Sequence, residues 1–146
     1  MEIARLLQLR GWEHRTNVYT ADCEELTTTA LEDILEAATQ TAATTILVVY
    51  SRQVVTPKKV ATYQSLCDLE LFERAHLRIL LAGHRFMVSH TRLSEEERAI
   101  ICRTYGEDNL PRLQVTDPMA RLYGFKIGDV ILIRRPQIYF RRVVPA

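Results

Sequence analysis

The side chains best suited to chemistry are scattered along this chain. His84 and His90 stand six residues apart with no third ligand or carboxylate near by, a poor arrangement for a metal. Cys23, Cys67 and Cys102 are odd in number and widely spaced, with no CxxC or CxH pattern. They are expected to be reduced, mostly buried thiols of an intracellular protein, not zinc ligands. No GxSxG or HExxH motif supplies a nucleophile or an activated water. Glu95 to Glu97 reads as charge placed at a helix N-terminus, where the backbone dipole favours it. No catalytic group, metal or cofactor is therefore expected, and the chemistry left is that of binding. Lys58 and Lys59 could meet a phosphate backbone, though such a pair also serves as a solvated helix end. Arg134, Arg135, Arg141 and Arg142 flank Tyr139 and Phe140 and are expected to lie near one another across a hairpin. Arginine meets phosphate and aromatic rings stack on bases, which suits nucleic acid. Tyr, Phe and Arg are equally the anchors of protein interfaces, so the residues alone leave both partners open.

Charge distribution sharpens the location without choosing between them. The whole chain is almost balanced, with 19 basic and 18 acidic residues among 146, and its apolar fraction of 47% allows a real core. Residues 1–81 carry 8 Lys/Arg against 11 Asp/Glu, whereas residues 112–146 carry 7 against 2. The positive charge is thus concentrated in the last quarter. The opening MEIARLLQLRGWEHR is too interrupted by charge for a secretory signal, and no apolar run approaches the roughly 18–20 residues needed to span a bilayer. The expectation is a soluble, intracellular protein with no membrane partner.

The elements that must position these residues can be read in order. Ile3, Leu6 and Leu7 recur at helical spacing, Gly11 offers a left-handed stop, and Trp12 follows as an anchor. Residues 24–38 repeat the pattern with Thr27, Leu31, Ile34, Leu35 and Ala38 on one face and acids near the start. Thr44 to Ser51 is a continuous β-branched run, as in a parallel strand covered on both faces. Thr56 and Pro57 start a helix, along which Val60, Tyr63 and Cys67 share a face. The apolar run Leu77 to Ala82 then supplies a second strand, completing a βαβ unit. No glycine-rich loop follows the first strand, which argues against a dinucleotide or P-loop site.

Gly83 is a plausible boundary, and His84 to His90 alternates like an edge strand. Ser94 and Glu97 form a capping box for a helix that Gly106 ends. Asp117 as N-cap, Pro118 at the first position and Gly124 at the stop define a second, short helix. Lys126 to Asp129 turns into an apolar strand, Val130 to Ile133, and Ile138 to Val144 returns as its partner. The fold class is α+β overall: a small α/β N-terminal domain over residues 1–82, then a compact mixed α/β domain over 83–146 ending in a β-hairpin.

At residues 84–144 the chain resembles the assembly domain of the fifth subunit shared by eukaryotic nuclear RNA polymerases, a family that includes its archaeal counterpart. The resemblance is carried by His84 to His90, Leu93-Ser-Glu-Glu-Glu97, Tyr105 and Leu110-Pro-Arg-Leu-Gln114. Its strongest part is Asp117-Pro-Met-Ala-Arg121, continuing through Tyr123-Gly124, Lys126 and Gly128 to Arg135-Pro136. Val88-Ser89 stands where the family often has proline, and the loop between the last two strands is shortened to Pro136-Gln137. The first half is similar to the eukaryotic jaw domain only in general plan and is shorter. The archaeal counterpart lacks a jaw, so the short version points to a eukaryotic or, better, a large-DNA-virus polymerase.

What the resemblance implies is a non-catalytic subunit of a DNA-dependent RNA polymerase, with the active site in the two largest subunits. Residues 83–146 would dock on the largest subunit, through Asp117, Pro118, Arg121, Tyr123, Gly124, Arg135 and Pro136. Asp117, Pro118 and Gly124 have a sufficient role as helix caps. Arg121 and Arg135 are the better intersubunit contacts, because a planar guanidinium matches a carboxylate. Residues 1–82 would form an abbreviated jaw near downstream duplex DNA, touching it indirectly or weakly, with Lys58 and Lys59 as DNA-proximal candidates. The compartment would be the nucleus, or the cytoplasm or virion for a viral enzyme. The alternative is a stand-alone nucleic-acid-binding protein using the basic C-terminal hairpin.

Overall fold

Thr45 to Val49 are buried without interruption, and the first half of the molecule is layered around them. The computed structural model describes residues 2–82, 89–134 and 137–146. It divides into two units, Met1–Ala82 and Gly83–Ala146.

In the first unit, β2 (Thr45–Gln53) is the central strand, paired in parallel with β1 (Val18–Leu26) and β3 (Asp68–Glu73). Successive side chains of a strand point to opposite faces. Ile46 and Val48 enter one core with Leu69 and Leu71 of β3. Leu31 and Ala38 of helix α2 (Thr28–Gln40) and Val60 of helix α3 (Pro57–Leu66) cover that face. Leu47, Val49 and Phe72 are buried as well, and α1 (Glu2–Arg10) and α4 (Arg74–Ala82) pack on the sheet, supplying buried Leu6 and Leu77. A strand covered on both faces is what the β-branched run requires.

Three sequence expectations change here. The segment 24–38 is not one helix: Glu24 to Leu26 end β1, and Thr27 is the N-cap of α2, its hydroxyl accepting from Ala30 N at 3.1 Å. The acids expected at that helix start are therefore on a strand. β1 itself escapes notice because it is an edge strand with polar residues such as Asp22 and Glu24 turned outward. Leu77 to Ala82 is helical, and the strand that completes β2–α3–β3 is Asp68–Glu73, DLELFE. Leu69 and Leu71 alternate with the charged Asp68 and Glu70, and Phe72 is buried on the opposite face.

The second unit is a four-stranded sheet among the described residues, in the order β4 (Ser89–Arg92), β6 (Val130–Arg134), β7 (Ile138–Val144), β5 (Arg112–Gln114). The β4/β6 and β6/β7 pairs are antiparallel and β5/β7 is parallel. Ile131, Ile133, Val143 and Leu113 build one core with Ala120 and Phe125. Helix α5 (Glu95–Tyr105) and helix α6 (Pro118–Tyr123) complete the unit. Ser94 caps the helix: its Oγ accepts from Glu97 N at 3.2 Å and donates to Glu97 Oε1 at 2.9 Å, so Glu97 meets the hydroxyl of Ser94. Gly106 ends α5 with φ 82°. Of the edge strand expected over His84 to His90, residues 84–88 lie outside the described residues, as does Gly83; β4 begins at Ser89.

Candidate subunit-docking face

Short helix α6 carries most of the candidate residues, and its ends are closed by their side chains and backbone. Asp117 Oδ1 accepts from Met119 N at 2.9 Å, and Pro118 occupies the first turn, where no amide hydrogen is needed. At the other end Gly124 is left-handed, φ 70° and ψ 33°, and Phe125 N donates to Ala120 O at 2.9 Å. That backbone needs a residue without a Cβ penalty, which explains the glycine without any partner. The next turn closes similarly: Asp129 Oδ2 accepts from Lys126 N at 2.8 Å and Gly128 has φ 93°.

Tyr123 stacks with two rings, at 6.3 Å from His90 and 5.4 Å from Phe125 by centroids. Burial pushes its phenol pKa up, because the phenolate would lose hydration. The stack ties α6 to β4. Arg121 is exposed on the same short helix. Asp117, Pro118, Arg121, Tyr123 and Gly124 are thus brought together at α6. Arg135 and Pro136 lie outside the described residues. Lys58 and Lys59 are exposed in the first turn of α3, in the other unit, where Thr56 Oγ1 accepts from Lys59 N at 3.4 Å.

Of the four hairpin arginines expected to lie near one another, Arg135 lies outside the described residues, and Arg134 stands apart from Arg141 and Arg142. Arg134 pairs with Ile138, whereas Arg141 and Arg142 pair with Ile131 and Val130 at the other end of the ladder. Arg134 and Arg141 are therefore on the order of 10 Å apart along the strands. Arg141 and Arg142, being adjacent on a strand, project to opposite faces. Arg141 lies 5.7 Å from the Tyr139 ring centroid, and Arg142 reaches Asp108 at 3.1 Å and Glu107 at 3.9 Å. Register, invisible in a count of basic residues, dissolves the single cationic face.

Sequence reasoning missed Arg98. Its Nε donates to Gly128 O at 2.7 Å and its Nη2 to Glu107 at 2.9 Å, joining α5 to the turn before β6 and to a 3-10 turn, Glu107–Asn109. The available signal was its spacing: Arg98, Ile101 and Cys102 share one helical stripe. Among the described residues no group of three His, Cys, Asp or Glu is placed to hold a metal ion, and no helix is long and apolar enough to cross a membrane. The cysteines are half-buried and not disulfide-bonded, with burial pushing the thiol pKa of Cys23 and Cys67 up.

These features define a mixed α/β module whose motif residues serve helix caps and turns while an arginine stays at the surface. Residues 79–144 match the family model described as RNA polymerase Rpb5, C-terminal domain. The chain is 33% identical over 75 residues to DNA-directed RNA polymerase subunit Rpo5 of Methanothrix thermoacetophila, covering 46% of this chain and 96% of that protein. It is 32% identical over 93 residues to DNA-directed RNA polymerase subunit 5-like protein 1 of Arabidopsis thaliana, covering 61% of this chain and 44% of that one. With a subunit rpabc1 of RNA polymerases I, II and III from Dictyostelium discoideum, identity is 39% over 70 residues, 47% of this chain and 36% of the relative. The chain belongs to the RNA polymerase subunit 5 family. Against these two eukaryotic relatives, the match spans less than half of their length.

Proposed function

We propose that this chain is a non-catalytic structural subunit of a DNA-dependent RNA polymerase, docking through its second unit on the largest subunit. The match of residues 79–144 to the C-terminal domain model carries this reading, since it covers nearly all of that unit. In it the active site belongs to the largest subunits, and no cofactor is needed here. Asp117, Pro118, Gly124 and Tyr123 shape the docking face, and Arg121, with Arg135 and Pro136, contacts the partner. Arginine suits an acidic partner surface because its fork binds a carboxylate in two places. The first unit serves as an abbreviated lower jaw near downstream duplex DNA, with Lys58 and Lys59 as its DNA-proximal charges. The compartment is that of the polymerase.

Co-purification of the tagged chain with a polymerase largest subunit tests the proposal. Arg121→Glu is expected to reduce recovery of the partner about tenfold, the effect of setting like charges against each other. A folded Arg121→Glu variant that assembles undiminished removes Arg121 from the interface. Failure of the wild-type chain to recover any polymerase subunit removes the docking function itself.

A further inference from the structure

Helix α5 is attached to its unit in an unusual way. None of its residues is fully buried; Arg98, Ile101 and Cys102 are half-buried and the rest are exposed, Ile100 by 56% and Tyr105 by 55%. Between it and the sheet lies a mostly apolar cavity of about 310 Å³, lined by Leu93, Glu97, Ile100 and Ile101 on one side and Leu132, Ile138 and Phe140 on the other. The helix therefore does not close fully over Leu132 and Phe140, which stay half-buried. Its polar attachment is concentrated in one side chain. Arg98 bonds Gly128 O and Glu107, and lies 3.8 Å from Glu95. Glu107 is shared with Arg142 of β7, which also holds Asp108, so the clasp continues onto the sheet.

We infer that α5 is a releasable strap, held by the Arg98–Glu107–Arg142 clasp, whose lifting bares Leu132 and Phe140 beside the already exposed Ile138. A segment with few buried apolar contacts opens at lower free energy than the core beneath it. The clasp is only partly covered, Glu107 being 45% exposed and Arg98 24%, so salt weakens it less than a fully exposed pair but more than the uncharged core of Ile131, Ile133 and Val143. This device rests on the second unit alone and stands whether or not α6 docks on a polymerase.

Amide hydrogen exchange on the full chain tests it. In the wild type, α5 amides should exchange faster than those of β6. Raising salt from about 0.05 to about 0.5 M should accelerate α5 and leave β6 unchanged. Arg98→Met should speed α5 exchange about tenfold or more, the loss of charge-assisted hydrogen bonds. Glu107→Gln, which keeps the bond to Gly128 O, should give a smaller acceleration and serves if Arg98→Met does not fold. Arg103→Met, at an exposed arginine of the same helix, should change α5 rates by less than about twofold. One common exchange rate for α5 and β6, or α5 rates unaffected by Glu107→Gln and by salt, overturns the strap.

Discussion

Asp117 and Gly124 owe their identity to backbone geometry, and Arg121 owes nothing to it. Asp117→Ala leaves Met119 N without its acceptor and should cost about 1 kcal/mol in a urea titration. Gly124→Ala places a Cβ in left-handed backbone and should cost about 1–2 kcal/mol. Arg121→Glu should change the same titration by less than about 1 kcal/mol, the usual scale of an exposed side chain's interactions. In the first unit, Asp22 and Glu2 receive guanidinium groups. Asp22 is held below its ordinary pKa of 3.8 chiefly by its hydrogen bond from Arg74, and Glu2 below 4.5 chiefly by that from Arg78. Carboxyls with lowered folded pKa values stabilise fully above their unfolded values and lose that stabilisation as pH falls through the folded ones. Unfolding free energy should hold from pH about 7 to 5 as far as these groups are concerned and fall below about pH 4. Asp22→Asn should flatten the acid slope in denaturation curves measured below about pH 4.

At the scale of elements, the two readings of residues 77–82 make opposite demands. A strand would put Leu77, Ile79 and Leu81 on one face, while a helix turns Ile79 about 200° away from Leu77. Leu77 is 1% exposed and Ile79 70%. Leu77→Ala should therefore cost about 2–4 kcal/mol and Ile79→Ala less than about 0.5, measured by chemical denaturation. Equal costs would restore the strand. Short apolar runs are ambiguous because both periodicities fit them. Here the register of DLELFE against β2 decides, with Thr45 Oγ1 donating to Asp68 Oδ2 at 3.0 Å. Capped helices escape that ambiguity: Thr56-Pro57, Ser94–Glu97 and Asp117-Pro118 start helices as read, since a cap is a bond between neighbours in the chain.

For the whole molecule, the hairpin's geometry bears on the nucleic-acid alternative. Among the described residues, Arg134 and Arg141 stand at opposite ends of the ladder and Arg142 is paired to acids, so these three share no single cationic face. The isolated chain should bind duplex DNA more weakly than micromolar in about 0.1 M salt by fluorescence anisotropy. Sub-micromolar binding with a steep salt slope would restore the stand-alone reading. Local chemistry, being written within a few residues, determined the capped helix starts at Thr56, Ser94 and Asp117, the buried parallel strand, the glycine stops and the motif series that marks the subunit 5 family. Pairing partners, the edge strand β1, the dispersal of the arginines and the inward turn of Arg98 were decided only by tertiary structure. Each depends on residues distant in sequence, joined by register and burial that no local pattern encodes.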